Sequence, residues 1–279
     1  MAVYLNDRFL KDEEAMLHVS DLSMQRGFAV FDFFRTSNGV PLFMEDHIHR
    51  FFISADAMHL TVPYSKQELA NIISELIEKS GIADAGIRIM LTGGYAADSY
   101  TPAKPNLLIT CNPVKTSTDE DFEKGISIIT YGHQREMPHI KSINYQMAVW
   151  LHPILKNKNA DDVLYYKDNV ITEFPRSNVF IVTEDNKLAT PGHNILHGIT
   201  RKQVLSLADG IIPVEERDIA YEELFSANEI FLTSTTKKIL PIVTLNGKPV
   251  ADGKPGKITT AIYEKYMELE KSKSHLVSL

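Results

Sequence analysis

The chain has 279 residues, 44% hydrophobic and 23% charged, so it can bury a sizeable core without disulfides or metals. Its 36 acidic and 29 basic residues leave a formal net charge of −7, which argues against nucleic acid as a partner. With no apolar run of about 18 residues and no basic, apolar leader, we expect neither a membrane span nor a secretory signal, and we expect a cytoplasmic protein.

The N-terminal part combines short strands with two helices. A strand is predicted over residues 3–7, and a hairpin over 27–36 and 40–44 around an Asn-Gly turn. Helical spacing covers 46–60, and a capping box at 65–68 opens a second helix that runs through Lys79. Further strands are predicted at 86–92 and 106–111. The chain's single cysteine, Cys111, ends the second of these, which favours a buried structural thiol.

A polar stretch without periodicity, residues 115–121, predicts a linker. We therefore expect a small N-terminal domain of residues 1–114, a linker at 115–122 and a C-terminal domain of residues 123–279. The predicted C-terminal strands cover 126–131, 163–166, 170–172, 179–182, 188–190, 229–232 and 239–245. Helices are predicted at 143–156 and starting near 200, 221 and 257. Strands and helices mix without strict alternation, which predicts an α+β fold in two domains.

A lysine and a glutamate in this C-terminal part stand in specific frames. Lys141 lies in His-Ile-Lys-Ser-Ile-Asn-Tyr, at an apolar edge that favours the neutral, nucleophilic amine. Glu173 ends a strand-like run, before a bend at Pro175. Each has an ordinary alternative, a surface lysine or a turn carboxylate. Together they fit pyridoxal 5'-phosphate (PLP), because a lysine forms an imine with an aldehyde and a carboxylate keeps a pyridine nitrogen protonated.

The two frames, in this order, resemble those of the fold type IV PLP enzymes, which include branched-chain aminotransferases, D-amino-acid aminotransferases and aminodeoxychorismate lyases. The resemblance covers almost the whole chain. It implies a small N-terminal α/β domain and a larger C-terminal domain of mixed β structure. It also implies that Lys141 is the Schiff-base lysine and that Glu173 pairs with the pyridine nitrogen.

Other motifs fit the same family. The run Glu-Asp-His-Ile-His-Arg, ending at Arg50, resembles a helix whose arginine grips the cofactor phosphate, and a planar guanidinium suits that role. The run Leu-His-Gly-Ile-Thr-Arg resembles a helix start at which the amides of Ile199 and Thr200 cradle the phosphate. The further cofactor contacts implied by the resemblance are Tyr145, Ser177, Asn178, Thr235 and Thr236.

The residues around the substrate depart from both well-known patterns. Branched-chain enzymes carry a tyrosine two residues before a strand arginine, whereas here Gly86 precedes Arg88. D-amino-acid enzymes carry an arginine after the threonine of that strand, whereas here Gly93 follows the threonine. Phe31 stands where those enzymes have a tyrosine, closer to the branched-chain pattern.

Three arginines lie near family site positions: Arg26, Arg88 and Arg176. We hypothesise that they bind the α-carboxylate or a second carboxylate of the substrate. The alternative is that Arg176 is a surface residue or forms a salt bridge with Glu173 or Asp32.

The sequence thus predicts a PLP-dependent aminotransferase that works by a ping-pong cycle between an amino acid and a 2-oxo acid such as 2-oxoglutarate. The donor is expected to be a D-amino acid or a branched-chain amino acid. Two alternatives stay open: a 4-amino-4-deoxychorismate lyase that releases pyruvate, and a catalytically silent PLP-binding protein. The resemblance implies a homodimer. No metal site is expected, because the lone His-x-x-x-His spacing at 193–197 has no supporting ligands.

Overall fold

The computed structural model describes residues 2–275, whose contacts divide into two units. Unit 1 holds residues 2–115, 140–144 and 272–275, and unit 2 holds residues 116–139 and 145–271. The expected domain limits at 114 and 123 stay a prediction, and the contacts add that residues 140–144 pack with unit 1. The outermost residues of the two predicted domains, 1 and 276–279, lie outside the described chain.

Unit 1 is an antiparallel sheet with helices on one face. Its strands are β1 (Ala2–Leu5), β2 (Arg8–Lys11), β3 (Ala29–Ser37), β4 (Val40–Pro41), β5 (Ala85–Thr92) and β6 (Leu107–Pro113). Its helices are α1 (Leu22–Arg26), α2 (Met44–Ala57) and α3 (Lys66–Ser80), with a 3-10 turn at Asp12–Glu14. Within residues 2–115 the strand order is β2-β1-β6-β5-β3-β4.

The alternation of β3 gives this sheet two different faces. Val30 and Phe34 point into a core with Ile87 of β5, Phe51 of α2 and Ile73 of α3. The intervening residues point to the opposite face, because successive side chains of a strand alternate. The predicted capping box of α3 is confirmed, since the Ser65 and Glu68 side chains accept each other's backbone N–H, and the helix ends at Gly81, a left-handed C-cap.

Unit 2 is built on a mixed sheet. Its strands are β7 (Ile126–Gly132), β8 (Asp162–Lys167), β9 (Val170–Ile171), β10 (Asn178–Val182), β11 (Leu188–Thr190), β12 (Val214–Glu216), β13 (Glu229–Ser234), β14 (Lys238–Leu245) and β15 (Lys248–Pro249). Its helices are α4 (Asp119–Lys124), α5 (Gln146–Asn157), α6 (Ile199–Ala208), α7 (Glu223–Ser226) and α8 (Lys257–His275). The described strands follow the order β12-β11-β10-β13-β14-β7-β8-β9, and β15 pairs with β14.

Parallel and antiparallel pairs mix in the unit 2 sheet: β7 runs parallel to β8 and β14, whereas β10 is antiparallel to β11 and β13. The predicted α+β class is confirmed. None of the helices within residues 2–275 is long and apolar enough to cross a membrane.

The role of the polar stretch as a linker stays a prediction, but the stretch contains the start of α4, because the side chain of Thr118 accepts the backbone N–H of Asp121, which returns the contact and closes a capping box. One local prediction is wrong. The helix expected from residue 143 begins only at Gln146, because the preceding residues are extended and pair with β3.

Candidate active site

Lys141 lies on a short extended segment along the N-terminal half of β3. The backbone N–H of Phe31 donates to the Lys141 carbonyl at 2.9 Å, and the N–H of Ile143 donates to Ala29 at 3.2 Å. The N–H of Lys141 itself donates to Ser54 Oγ of α2 at 3.2 Å. These bonds fix the lysine backbone on both sides.

The Lys141 side chain reaches the aromatic ring of Phe31. Its Nζ lies 4.7 Å from the ring centroid, and the guanidinium carbon of Arg88 lies 5.1 Å from the same centroid. Phe31 is buried, and the neighbouring Ile140 belongs to the core of unit 1. The Lys141 amine and the Arg88 guanidinium therefore both lie against the Phe31 ring, whose π face attracts a guanidinium. Unit 1 thus brings together Lys141, Phe31 and Arg88, three residues singled out from the sequence.

Arg50 of α2 is held by a buried carboxylate on β3. Its Nε and one terminal nitrogen donate to the two oxygens of Asp32, each at 2.8 Å. Asp32 also bonds Nδ1 of His47 at 2.7 Å, and both side chains are buried. The fork-to-fork pairing fixes the plane of the Arg50 guanidinium.

The protonation of this cluster follows from burial and charge. Burial opposes ionisation of Asp32, but the charges and hydrogen bonds of Arg50 and His47 prevail and hold its pKa below the ordinary value. Burial lowers the pKa of His47, and the attraction of Asp32 offsets this only in part. The imidazole is therefore neutral, with its Nδ1 hydrogen directed at the Asp32 carboxylate.

In unit 2, hydrogen bonds to both carboxylate oxygens fix the buried side chain of Glu173. Arg135 Nε donates to Glu173 Oε1 at 2.7 Å, and the backbone N–H of Leu196 donates to Oε2 at 2.9 Å. Arg135 is itself held by the carbonyl of Pro138 at 2.6 Å. Both side chains of the pair are about nine-tenths buried or more, 10% and 6% exposed.

The loop before α6 is tied to the same region of unit 2. Asn178 Nδ2 donates to the Leu196 carbonyl at 2.8 Å. A Cβ at Gly198 would overlap Asn178 Oδ1, so a larger residue at this N-cap would displace the Asn178 side chain. Arg201 anchors the first turn of the helix through Glu216 at 2.7 Å.

The donor set of unit 2 fits PLP. Ile199 and Thr200 are buried in the first turn of α6, whose N-cap Gly198 provides no side-chain cap, so their amides suit a phosphate. In the described chain, the hydroxyls of Ser177 and Thr233 are buried without a hydrogen-bond partner. Buried hydroxyls are almost always satisfied, and these two therefore point to a polar ligand.

The other predicted site residues are less enclosed. Tyr145 is the half-buried N-cap of α5, and Thr235 and Thr236 are half-buried in the turn between β13 and β14. Arg26 is exposed and donates to the Gln25 carbonyl at 2.9 Å.

The salt bridge considered for Arg176 is wrong. Arg176 is exposed, and among residues 2–275 it pairs with neither Glu173 nor Asp32, whose cations are Arg135 and Arg50. No group of three or more His, Cys, Asp or Glu side chains within the described residues is arranged to hold a metal ion.

The decisive comparison is with family models. The model for amino-transferase class IV matches residues 29–245, which include both units' site residues. The chain belongs to the class IV aminotransferase family. Enzymes of this family use PLP, and the chain is accordingly a transaminase that moves an amino group between an amino acid and a 2-oxo acid.

Individual relatives span two kinds of class IV aminotransferase. A Methanocaldococcus jannaschii protein, provisionally named a branched-chain-amino-acid aminotransferase, is 31% identical and is covered over 96% of both chains. The D-alanine aminotransferase of Bacillus licheniformis is 28% identical over 93% of both. Both relatives are named as aminotransferases, which does not favour the aminodeoxychorismate lyase alternative.

Solved structures confirm the fold. The Escherichia coli branched-chain amino acid aminotransferase superposes with a TM-score of 0.90 at 23% identity, over 99% of this chain and 96% of that one. The Thermoproteus uzoniensis branched-chain aminotransferase, solved with norvaline, has a TM-score of 0.88 at 27% identity, over 98% and 95%.

Sequence reasoning missed Arg135, Asp32 and His47 as parts of the site. His47 precedes Arg50 by three residues on one helix, and this spacing places both side chains on one face. The spacing could therefore have identified His47 as a neighbour of Arg50. Arg135 lies 38 residues from Glu173 and stands in no motif, so no local signal identifies it.

Proposed function

We propose that this class IV aminotransferase binds PLP and transfers the amino group of a D-amino acid or a branched-chain amino acid to 2-oxoglutarate or a similar 2-oxo acid. The observation that carries the proposal is the buried Glu173 carboxylate, oriented by Arg135 and Leu196. When bound, PLP supplies a protonated pyridine ring that accepts the electrons of the substrate Cα–H bond.

Lys141 provides the reactive amine. With PLP bound, Lys141 would hold the cofactor through Nζ, and its free amine would carry the proton that leaves the substrate Cα. The hydrogen bonds that fix its backbone, and the Phe31 ring beside Nζ, support this role because proton transfer depends on position.

Glu173 keeps the pyridine nitrogen protonated, and Arg135 keeps the Glu173 carboxylate in place. The phosphate is bound by the amides of Ile199 and Thr200 at the start of α6 and by Arg50, whose guanidinium plane Asp32 fixes. The remaining cofactor contacts in the proposal are Tyr145, Ser177, Asn178, Thr235 and Thr236.

The substrate is recognised by Phe31 and by the arginines Arg26, Arg88 and Arg176. Arg88 and Arg176 are exposed cations in a chain of net charge −7, which favours a carboxylate ligand. The three arginines favour an amino donor that carries a second carboxylate or has the D configuration. The D-alanine aminotransferases among the relatives support a D-configured donor.

We further propose a homodimer, as the family resemblance implies, and a cytoplasmic location. A lone, buried Cys111 is compatible with a reducing compartment. Size-exclusion chromatography with light scattering tests the dimer: twice the mass of the 31.5 kDa chain is expected, and a monomer would contradict it.

The proposed function is tested by mixing the PLP-loaded protein with D-glutamate, D-alanine and L-leucine and following the cofactor spectrum together with release of the 2-oxo acid. Conversion by at least one donor is expected, and Lys141→Ala should abolish it while Lys156→Ala, an exposed lysine of α5, should not. Pyruvate release from aminodeoxychorismate without amino transfer would instead establish the lyase. An unchanged rate with every donor in Arg176→Ala would remove Arg176 from substrate recognition.

A further inference from the structure

The face of the unit 1 sheet that points away from α2 and α3 carries Arg88 beside two aromatic rings. In the antiparallel register of β3 and β5, Arg88 lies opposite Phe33, and Gly86 lies opposite Arg35. Phe31 and Phe33 are two residues apart and so point to the same face. The guanidinium carbon of Arg88 lies 5.1 Å from the Phe31 centroid and 6.0 Å from the Phe33 centroid.

A side chain at position 86 would collide with its neighbours as they are placed in this structure. A Cβ built there would stand 2.7 and 2.8 Å from two carbons of the Phe33 ring and 3.3 Å from Cβ of Val114. The backbone of Gly86 does not have a positive φ, so its conformation would accept any residue. The ring of Phe33 therefore occupies the volume into which a side chain at position 86 would grow.

This arrangement changes what surrounds Arg88. Arg88 is exposed and, within the described chain, forms no ion pair with a carboxylate. Its guanidinium is instead supported by aromatic faces, which attract a cation without neutralising it. An exposed arginine held in this way keeps its charge for a carboxylate ligand. The same Phe31 ring has Lys141 Nζ at 4.7 Å, which places the reactive amine beside this cation.

We propose that Phe33 is a specificity-determining residue of this enzyme. Its ring fills, from β3, the volume beside Arg88 into which a side chain at position 86 of β5 would grow. Phe33 thereby holds Arg88 for a substrate carboxylate and narrows the space beside it, so donors with a second carboxylate are preferred to branched aliphatic donors. The inference rests on the proposed function, because Arg88 must face the substrate.

The packing part is tested by exchanging the two residues. Gly86→Tyr alone overlaps the Phe33 ring and should lower Tm by roughly 2–10 °C. The double variant Phe33→Gly/Gly86→Tyr removes the overlap and should recover most of that loss. Equal Tm losses from Gly86→Tyr in the presence and in the absence of Phe33 would show that the two residues are independent and would overturn the proposal.

The specificity part uses variants that keep the strand intact. Phe33→Leu retains an apolar side chain but removes the ring, and it should reduce the ratio of D-glutamate to L-leucine half-reaction rates about tenfold, mainly through a higher KM for D-glutamate. Phe33→Tyr keeps the ring and should keep the ratio within about threefold. Phe9→Leu is the matched control, because Phe9 is another half-buried ring of unit 1 with a cation, Lys79 Nζ, 5.3 Å from its centroid.

Failure of the inference and failure of the proposed function give different results. If the wild-type protein turns over donors and Phe33→Leu leaves their ratio unchanged, Phe33 does not set specificity and the inference is wrong. If the PLP-loaded wild type reacts with no amino acid, the proposed function itself is wrong, and the inference about donor choice falls with it.

Discussion

Glu173 and Arg135 are far apart in the chain and meet as a buried ion pair, with Arg135 Nε 2.7 Å from Glu173 Oε1. A buried carboxylate that loses its cation keeps the cost of desolvation without the compensating attraction. Arg135 therefore compensates the burial of the Glu173 carboxylate and orients the oxygen atoms that we propose face the pyridine nitrogen.

Removing one partner should be more damaging than removing the charge of both. Arg135→Met is expected to lower the free energy of unfolding by about 3–5 kcal/mol and to weaken PLP binding, because Glu173 is left charged and buried. Arg135→Met/Glu173→Gln should recover part of the stability but not the transaminase activity. Urea denaturation of the apoprotein and PLP titration measure the two effects. An Arg135→Met protein as stable as wild type would contradict this account.

Among elements, α2 carries an acid-sensitive cluster. The pKa of His47 is lowered, mainly by burial, so below the ordinary value of 6.5 the unfolded chain binds a proton that the folded chain excludes, and stability falls as pH falls. The pKa of Asp32 is also lowered, so its contribution is complete above its ordinary value of 3.8 and is lost only below it. Within this cluster, the first loss of stability on acidification should therefore come from His47.

His47→Asn tests this reading, since asparagine keeps a donor for Asp32 but cannot titrate. Between about pH 6.5 and pH 5 its unfolding free energy should change less steeply with pH than that of wild type. The slope should not vanish, because burial also lowers the pKa of His133 and His197. His49→Asn, on the exposed side of α2, is the control. Identical slopes for His47→Asn and wild type would refute the assignment.

The start of α6 depends on Gly198, and the run Leu-His-Gly-Ile-Thr-Arg does not by itself explain why a glycine stands there. A Cβ at Gly198 overlaps Asn178 Oδ1, so Gly198→Ala should displace the loop that Asn178 holds through Leu196 and move the amides of Ile199 and Thr200. A cost of about 1–3 kcal/mol is expected for such overpacking, and PLP affinity should fall about tenfold or more.

Gly192→Ala is the matched control for Gly198→Ala. Its Cβ would lie 3.5 Å from the Glu216 backbone, an ordinary contact, so affinity should stay near wild type. PLP titration of the two apoproteins, followed by fluorescence, compares them directly. If both variants bind PLP as tightly as wild type, the α6 N-terminus is not the phosphate site.

For the whole molecule, the sequence predicts what local patterns determine. The α3 capping box at Ser65 and Glu68 could be predicted because its contacts span only three residues, and the α+β class follows from the mixed order of elements. The late start of α5 could not, because residues 140–144 are extended through pairing with β3, more than a hundred residues earlier.

The candidate site divides in the same way. Lys141, Glu173 and Arg50 stand in motifs and could be singled out. Arg135 and Asp32 hold those residues through side-chain contacts between segments distant in the chain, which no local pattern encodes. The Phe33–Gly86 pair likewise depends on strand register, which is a property of the folded sheet.

The central claim, that Lys141 holds PLP in a transaminase, is tested most directly by borohydride reduction of the PLP-loaded protein, followed by peptide mapping with mass spectrometry. Reduction makes the bond between cofactor and amine permanent. We predict one equivalent of label per chain, on the peptide that contains Lys141, and no label when a reactive amino acid has first converted the cofactor to its amine form. Stoichiometric label on a different lysine, with Lys141 unmodified, would contradict the account.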